Sequence, residues 1–309
     1  MCFRAALVIE SKPSQLVVGI TLAALGAIAF SGKAIIVKLA YRYGVDPVTL
    51  IMLRMLFALP VFALMAWWAS RGKPALSLRD ALGVLGLGFV GYYLSSFLDF
   101  VGLQYISASL ERLILYLNPT LVLLLSWLIY RRRASRLQSL GIGISYAGVM
   151  LVFGHEMTMQ GADAAWGALL VFLSAVTYAL YLVYSGELVK RLGSQRLVGL
   201  TGTVACLCCI LQFALLRSLS LEAVAPPVMW LSLANAIVCT VAPVLMVMMA
   251  IERIGPGLTA QTGMIGPMST IAMGVLILDE AFTVWVAFGT ALVLAGIYVF
   301  TRSAQTKGN

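Results

Sequence analysis

Apolar runs close to the roughly 20 residues that a helix needs to cross a bilayer recur from one end of this 309-residue chain to the other. With 61 % hydrophobic and 11 % charged residues, the sequence describes an all-α integral membrane protein, not a soluble domain. Breaks at charges, prolines and glycines divide it into ten predicted transmembrane helices: 16–40, 48–69, 81–104, 107–130, 137–154, 165–189, 197–217, 227–251, 256–278 and 283–301. An even number of spans returns both termini to one side. The first run contains Lys33 and lacks a small-residue cleavage pattern, so it is expected to remain as a helix and not to be removed as a signal peptide.

The net charge of +9 follows from membrane orientation. Segments on one side carry Arg4 and Lys12, then Arg71, Lys73 and Arg79, then Arg131, Arg132, Arg133 and Arg136. The same side continues with Lys190, Arg191 and Arg196, Arg253, and finally Arg302 and Lys307. Opposite segments hold Lys38, Arg42 and Arg217 among His155, Glu156, Asp163, Glu222, Asp279 and Glu280. Positive charge stays on the cytoplasmic side, so both termini are predicted there and no nucleic-acid partner is required. Four of the five cysteines lie inside apolar runs and give no disulfide framework. The single histidine and the absence of ligand-like spacing predict no metal centre, and no cofactor is expected.

Displacing the sequence against itself by 148 positions matches Pro119 with Pro267, Gly141 with Gly289, Gly148 with Gly296 and Gly19 with Gly167. Ile106/Ile254, Leu110/Leu258 and the aromatic pair Phe30/Tyr178 follow the same offset. Two copies of five helices are predicted, over 1–154 and 155–309. An odd number of spans per copy makes the second enter from the opposite side, giving two inverted five-helix repeats, an arrangement used for alternating access around a midplane site.

Pro119 in "YLNPT" and Pro267 in "MIGPM" fall at matching places in the fourth and ninth spans. Each removes a backbone donor and frees a carbonyl, so the pair, with Asn118 beside the first, points to a central pathway. Thr259, Gln261 and Thr262 add neutral polar groups to the ninth span, either for the pathway or for helix–helix hydrogen bonding. Tyr116, one turn from Pro119, is an aromatic candidate for solute stacking.

Lys33, Arg54, Asp99, Glu111 and Arg112 all fall in the predicted outer half of the membrane. Charges at this depth must face one another or water. Consecutive helical residues point about 100° apart, so Glu111 and Arg112 are not expected simply to neutralise each other face to face but to engage different helices. Asp99 has the sign to pair with Lys33, Arg54 or Arg112. The displacement carries the five onto Tyr181, Gly202, Val247, Thr259 and Ala260, none of them charged. The layer therefore serves as scaffold, as outer gate or as solute contact, and the sequence leaves these three open.

The segments "ALGAIAFSGKAIIVK", "YISASLERLILYLNPTLVLLLS", "WGALLVFLSAVTYALYLVY" and "IGPGLTAQTGMIGPMSTIAMGVLILDE" give the chain, over about 16–301, a resemblance to the drug/metabolite transporter superfamily, specifically its EamA-like ten-helix carriers. The resemblance implies a secondary transporter, in the export direction, of small organic metabolites such as amino acids in a bacterial inner membrane. Its central prolines carry onto Pro119 and Pro267. Expected partners are a small-molecule solute and the lipid bilayer, with a homodimer left open. A channel or lipid scramblase is the alternative. An intramembrane enzyme ranks third, because the interior offers Asp99 alone as an aspartate and no serine–histidine pair.

Overall fold

The computed structural model describes residues 13–130, 136–160, 162–217, 224–263 and 265–305, and all regular structure among them is helical. The first copy holds α1 (Pro13–Tyr41), α2 (Pro47–Ser70), α3 (Leu78–Gly102), α4 (Ala108–Leu115), α5 (Asn118–Tyr130) and α6 (Arg136–Gln160). The second holds α7 (Ala162–Leu192), α8 (Ser194–Leu216), α9 (226–263), α10 (Ile265–Leu278) and α11 (Val284–Gln305). Among the described residues six stretches are long and apolar enough to cross a membrane: Leu16–Tyr41, Pro47–Ser70, Leu78–Gly102, Asp163–Gly186, Ser194–Leu216 and Pro226–Val247. Ser139–His155, Met268–Leu278 and Val284–Val299 are shorter apolar helices.

The remaining predicted spans differ from straight helices for identifiable reasons. Span 107–130 is two helices, because helical structure stops at Leu115, turns through Tyr116 and Leu117, and restarts at Asn118 with Pro119 in its first turn. Proline is tolerated there, where an N–H would lack a partner in any case. Around 251–256 the helical assignment is continuous, yet the chain reverses. Cys239 abuts Gly32 of α1 and Ile254 abuts Gly19, whereas Gly266 lies back beside Ser31. Descending and returning limbs each cover about 18–20 Å of α1, as 12 or 13 helical residues require.

Each end of the bundle has its own tie points. At one end Arg42 Nη2 donates to the Leu278 carbonyl at 2.9 Å, and Arg217 meets Asp46 at 3.1 Å. At the other Arg196 donates to Ser70 Oγ (3.1 Å) and the Pro74 carbonyl (3.0 Å), and Arg191 pairs with Asp80 at 2.9 Å.

Contacts between the halves come in pairs that interchange under the 148-residue displacement. Gly19 meets Ile254, and Gly167 meets Ile106. A Cβ on Gly148 would lie 2.6 Å from the Gly289 carbonyl oxygen, and one on Gly296 would lie 2.6 Å from that of Gly141. Any side chain at these crossings would force α6 and α11 apart, which is why small residues occupy them. Local irregularities recur as well. A π-helical segment, Gly88–Leu94, interrupts α3, and another, Ile237–Val241, interrupts α9 at the equivalent level. Such segments widen the helix by one residue per turn and are frequent at functional sites.

Candidate functional site

The charged residues of the first copy converge in the bundle interior. Lys33, on α1, places Nζ 2.5 Å from Asp99 Oδ2 on α3 and 3.4 Å from Glu111 Oε1 on α4. Glu111 is fully buried, and its Oε2 is 3.7 Å from Arg112 Nε. The expectation that Glu111 and Arg112 engage different helices is therefore corrected, since both reach α1 and lie within ion-pair distance of each other. Their Cα–Cβ vectors diverge, but both side chains are long enough to meet while each also reaches α1. The Arg112 Nη2 group lies 3.4 Å from the Ser31 carbonyl oxygen and 3.5 Å from that of Phe30. One ammonium thus bridges two carboxylates from different helices. Leaving such a charge buried without its partner typically costs about 3–5 kcal/mol, so the network fixes how α1, α3 and α4 sit together.

Arg54 of α2 stands apart from this pairing. It is buried, its guanidinium lies 5.0 Å over the Phe100 ring, and its polar contact among the described residues is Ser96 Oγ at 3.5 Å. Its Nε and Nη1 atoms have no protein acceptor, and no carboxylate among the described residues pairs with it.

These groups face a cavity of about 340 Å³ whose wall includes Lys33, Arg54, Asp99, Arg112, Tyr116 and Asn118. Both π-helical segments border it, through Gly91 and Tyr92 on α3 and through Cys239 and Thr240 on α9. A second cavity of about 330 Å³ shares Phe30, Arg112, Tyr116, Tyr178 and Val244 with the first and extends past Gly26 and Val247 to Val198. Val198 lies near the start of α8, at the Arg196 end. A separate recess of about 600 Å³ at the opposite end is bordered by Lys38, Tyr41, Arg42, Asp46, Gln104 and Glu280, and has no wall residue in common with the other two. Between recess and cavity Tyr41 donates to the Phe100 carbonyl at 2.5 Å, with Phe100 and Leu103 fully buried.

The recess end is pinned by Glu280. Its carboxylate accepts from the Ala108 N–H at 2.7 Å, the Ser109 N–H at 3.3 Å and Ser109 Oγ at 2.8 Å. These are the first amides of α4, where the helix dipole favours an anion. Asp279, with φ 60°, turns the chain directly before it.

The break between α4 and α5 adjoins both central cavities through Tyr116. Pro267 cannot donate to the carbonyl of Gly263, four residues back, and the Tyr116 hydroxyl lies 3.5 Å from that oxygen. The carbonyl that Pro267 leaves without its helical donor is thereby reached from the break in the first copy. Asn118 borders the cavity, and its Oδ1 is buried without a protein donor. Other predicted residues fall outside the two central cavities. Tyr181 is buried behind the wall, edge-on to Tyr92 at 5.0 Å and stacked on Tyr178 at 5.8 Å. Thr259 is buried and Thr262 half-buried on the returning limb of α9, and neither borders these cavities. The side chains of Pro119, Gln261 and Pro267 lie outside the described residues.

Sequence reasoning missed the polar wall formed by Ser95, Ser96, Ser174 and Thr240. Ser95 and Ser174 bind reciprocally, with Ser174 Oγ donating to the Ser95 carbonyl at 2.8 Å. Small hydroxyls are common within apolar helices, and only the facing helix distinguishes these. The π-helical segments carry no proline to announce them.

The profile of the EamA-like transporter family matches residues 17–154 and again 165–302, two matches that begin and end 148 residues apart. The chain is 31 % identical over 283 residues to the uncharacterized transporter YcbK of Bacillus subtilis (strain 168), covering 88 % of each protein. It is 26 % identical over 254 residues to the uncharacterized transporter YetK of the same organism, covering 80 % of this chain and 76 % of YetK. A crystal structure described only as a protein superposes with a TM-score of 0.62 over 97 % of this chain and 100 % of its own, at 18 % identity, a likeness of fold alone. With both halves matched by one family and a relative similar along most of its length, this integral membrane chain belongs to the EamA-like transporter family.

Proposed function

We propose that the protein is a secondary transporter that exports small organic metabolites, amino acids among them, by alternating access around the central cavity. Ten transmembrane helices in two inverted repeats, 1–154 and 155–309, provide the moving parts. In this count α4 and α5 form one broken span, and α9 supplies the eighth span and the start of the ninth. The paired contacts Gly19/Ile254 with Gly167/Ile106, and Gly148/Gly289 with Gly296/Gly141, support the inversion, because exchanging the halves reproduces them.

Basic loop residues support the orientation. Arg71, Lys73, Arg79, Arg191 and Arg196 lie toward one end of the bundle, which the positive-inside rule makes cytoplasmic in a bacterial inner membrane, with both termini there. The Glu280 end then faces outward. The two connected cavities reach toward the cytoplasmic end, while Tyr41, Phe100 and Leu103 separate them from the outer recess. This arrangement supports the reading of an inward-facing carrier with its outer path closed.

One observation carries the reading: a cavity of metabolite size, placed between the halves, combines an ion-pair network, an unpaired guanidinium and aromatic walls. Reconstitution into liposomes tests it, by flux of amino acids, organic acids, amines and sugars with and without a proton gradient. Saturable flux accelerated by solute on the opposite side is expected. Ohmic conductance or lipid exchange would turn the reading to a channel or scramblase, and the absence of any solute flux would overturn it.

A further inference from the structure

Five charged side chains meet around the central cavity, and their pairing leaves a remainder. Lys33 is held by Asp99 at 2.5 Å and Glu111 at 3.4 Å, and Arg112 has Glu111 at 3.7 Å and two backbone carbonyls. Three cations therefore face two carboxylates. Arg54 is the cation left over, 5 % exposed, on the cavity wall, with two guanidinium nitrogens that no protein atom satisfies.

A guanidinium is planar, permanently charged and shaped to bind a carboxylate through two parallel N–H···O bonds. Burying one without an anion is strongly unfavourable unless the anion arrives as ligand. The charge is not part of the repeated frame, since the equivalent position of the second copy is Gly202, whose missing side chain leaves room for the Phe62 ring. The surroundings suit an organic acid. Phe100 backs the guanidinium, Tyr92 and Tyr116 line the cavity, and Ser96 and Asn118 offer polar groups on its wall.

We infer that Arg54 binds the carboxylate of the transported solute, so that the cavity selects small organic acids and amino acids over neutral or purely cationic compounds. The inference rests on the carrier reading above and narrows its substrate class. Lys33 and Arg112, already engaged, set the positive field without being the docking group.

Matched solute pairs in liposomes holding the full-length protein test this without any mutation: lactate against lactamide, succinate against succinamide, and leucine against leucinamide. Glycerol 3-phosphate against glycerol tests the other common oxyanion. At least one carboxylate is expected to be transported with a half-saturation concentration tenfold or more below that of its amide. Arg54→Gln should remove this discrimination and raise the half-saturation concentration at least tenfold, and Arg54→Lys should restore part of it. Monodisperse elution of each variant separates loss of binding from loss of fold. Should Arg54→Gln fail to fold, the wild-type acid-to-amide ratio decides alone.

Flux of amines, amides or sugars equal to or above that of the acids overturns the carboxylate assignment and leaves the carrier intact. Transport of the phosphate ester only also overturns it. Absence of flux for every compound overturns the carrier reading itself. Acid selectivity that survives unchanged in a folded Arg54→Gln protein removes Arg54 from the site.

Discussion

The two halves of this protein keep the same frame and differ in what they place on it. Positions related by the 148-residue displacement share the crossing glycines Gly148 and Gly296, the prolines Pro119 and Pro267, and a π-helical segment facing the cavity. Lys33, Arg54, Asp99, Glu111 and Arg112, by contrast, stand opposite Tyr181, Gly202, Val247, Thr259 and Ala260. Features common to both copies are those that set helix direction, close approach and local unwinding. Features found in one copy carry charge, and in three dimensions they collect on one cavity and one ion-pair network. Architecture is thus duplicated and chemistry is one-sided.

Breaking the network should have the largest effect. Lys33→Met leaves Asp99 buried without an ion-pair partner among the described residues and Glu111 with Arg112 alone, and a loss of about 3–5 kcal/mol is expected. Tyr181→Met, the corresponding change in the uncharged copy, removes a ring and a hydroxyl but strands no charge, and should lose less, about 1–3 kcal/mol. The double variant Lys33→Met/Asp99→Leu should recover part of the single loss. Thermal unfolding of the purified variants in detergent measures all three, and equal losses for Lys33→Met and Tyr181→Met would remove the proposed asymmetry.

The shared frame is tested next. Gly148→Ala and Gly296→Ala each bring a methyl to 2.6 Å from a carbonyl oxygen of the facing helix. Overpacking of this kind costs about 1–3 kcal/mol, more than the roughly 0.5–1 kcal/mol that alanine gains over glycine inside a helix. The two variants should be destabilised alike. A large difference between them would mean that the α6–α11 crossing is less symmetric than its contacts.

Glu280 marks a smaller asymmetry between the ends of the bundle. Its carboxylate caps Ala108 and Ser109, whereas the displacement places Pro256, which has no N–H, opposite Ala108. Glu280→Gln should weaken the cap on α4 by about 1–2 kcal/mol. Hydrogen exchange at the Ala108 and Ser109 amides should accelerate, and unchanged exchange would exclude this cap.

The smallest effect concerns helix starts. Asp46 caps α2 by accepting from Val48 and Thr49 N–H, while α8 begins at Gly193 with no side-chain cap. Burial pushes the Asp46 carboxyl up, but hydrogen bonds from Thr49 and Arg217 outweigh it and hold the group below its usual range. Its stabilisation is therefore fully present above the ordinary carboxylate range and is lost as pH falls through the lowered value. Asp46→Ala should cost about 1 kcal/mol at neutral pH and nothing in strong acid, as read from unfolding temperatures across pH.

Much of this frame was legible in the chain because it rests on local or periodic signals. Run length gave most of the helices, and the offset of 148 joined glycines and prolines that do meet or align in space. Pro119 announced the break at Tyr116–Leu117, since a missing N–H and a fixed φ act within one turn. The candidate site was legible as an inventory of unusual residues, because a charge inside an apolar run is conspicuous wherever its partner lies.

Tertiary structure decided the rest. Asp99 could have paired with any of three cations, and only the approach of α1, α3 and α4 gave it Lys33 and left Arg54 without a carboxylate. Asn118 and the charges, unrelated in the sequence, share one cavity wall for the same reason. The sequence by itself determined that the chain spans a membrane as two related sets of helices, because apolar length and backbone chemistry act locally. Which buried charges neutralise one another, and which one is left facing the cavity, depends on distances of a few ångströms between helices far apart in sequence, and only the packed bundle sets those.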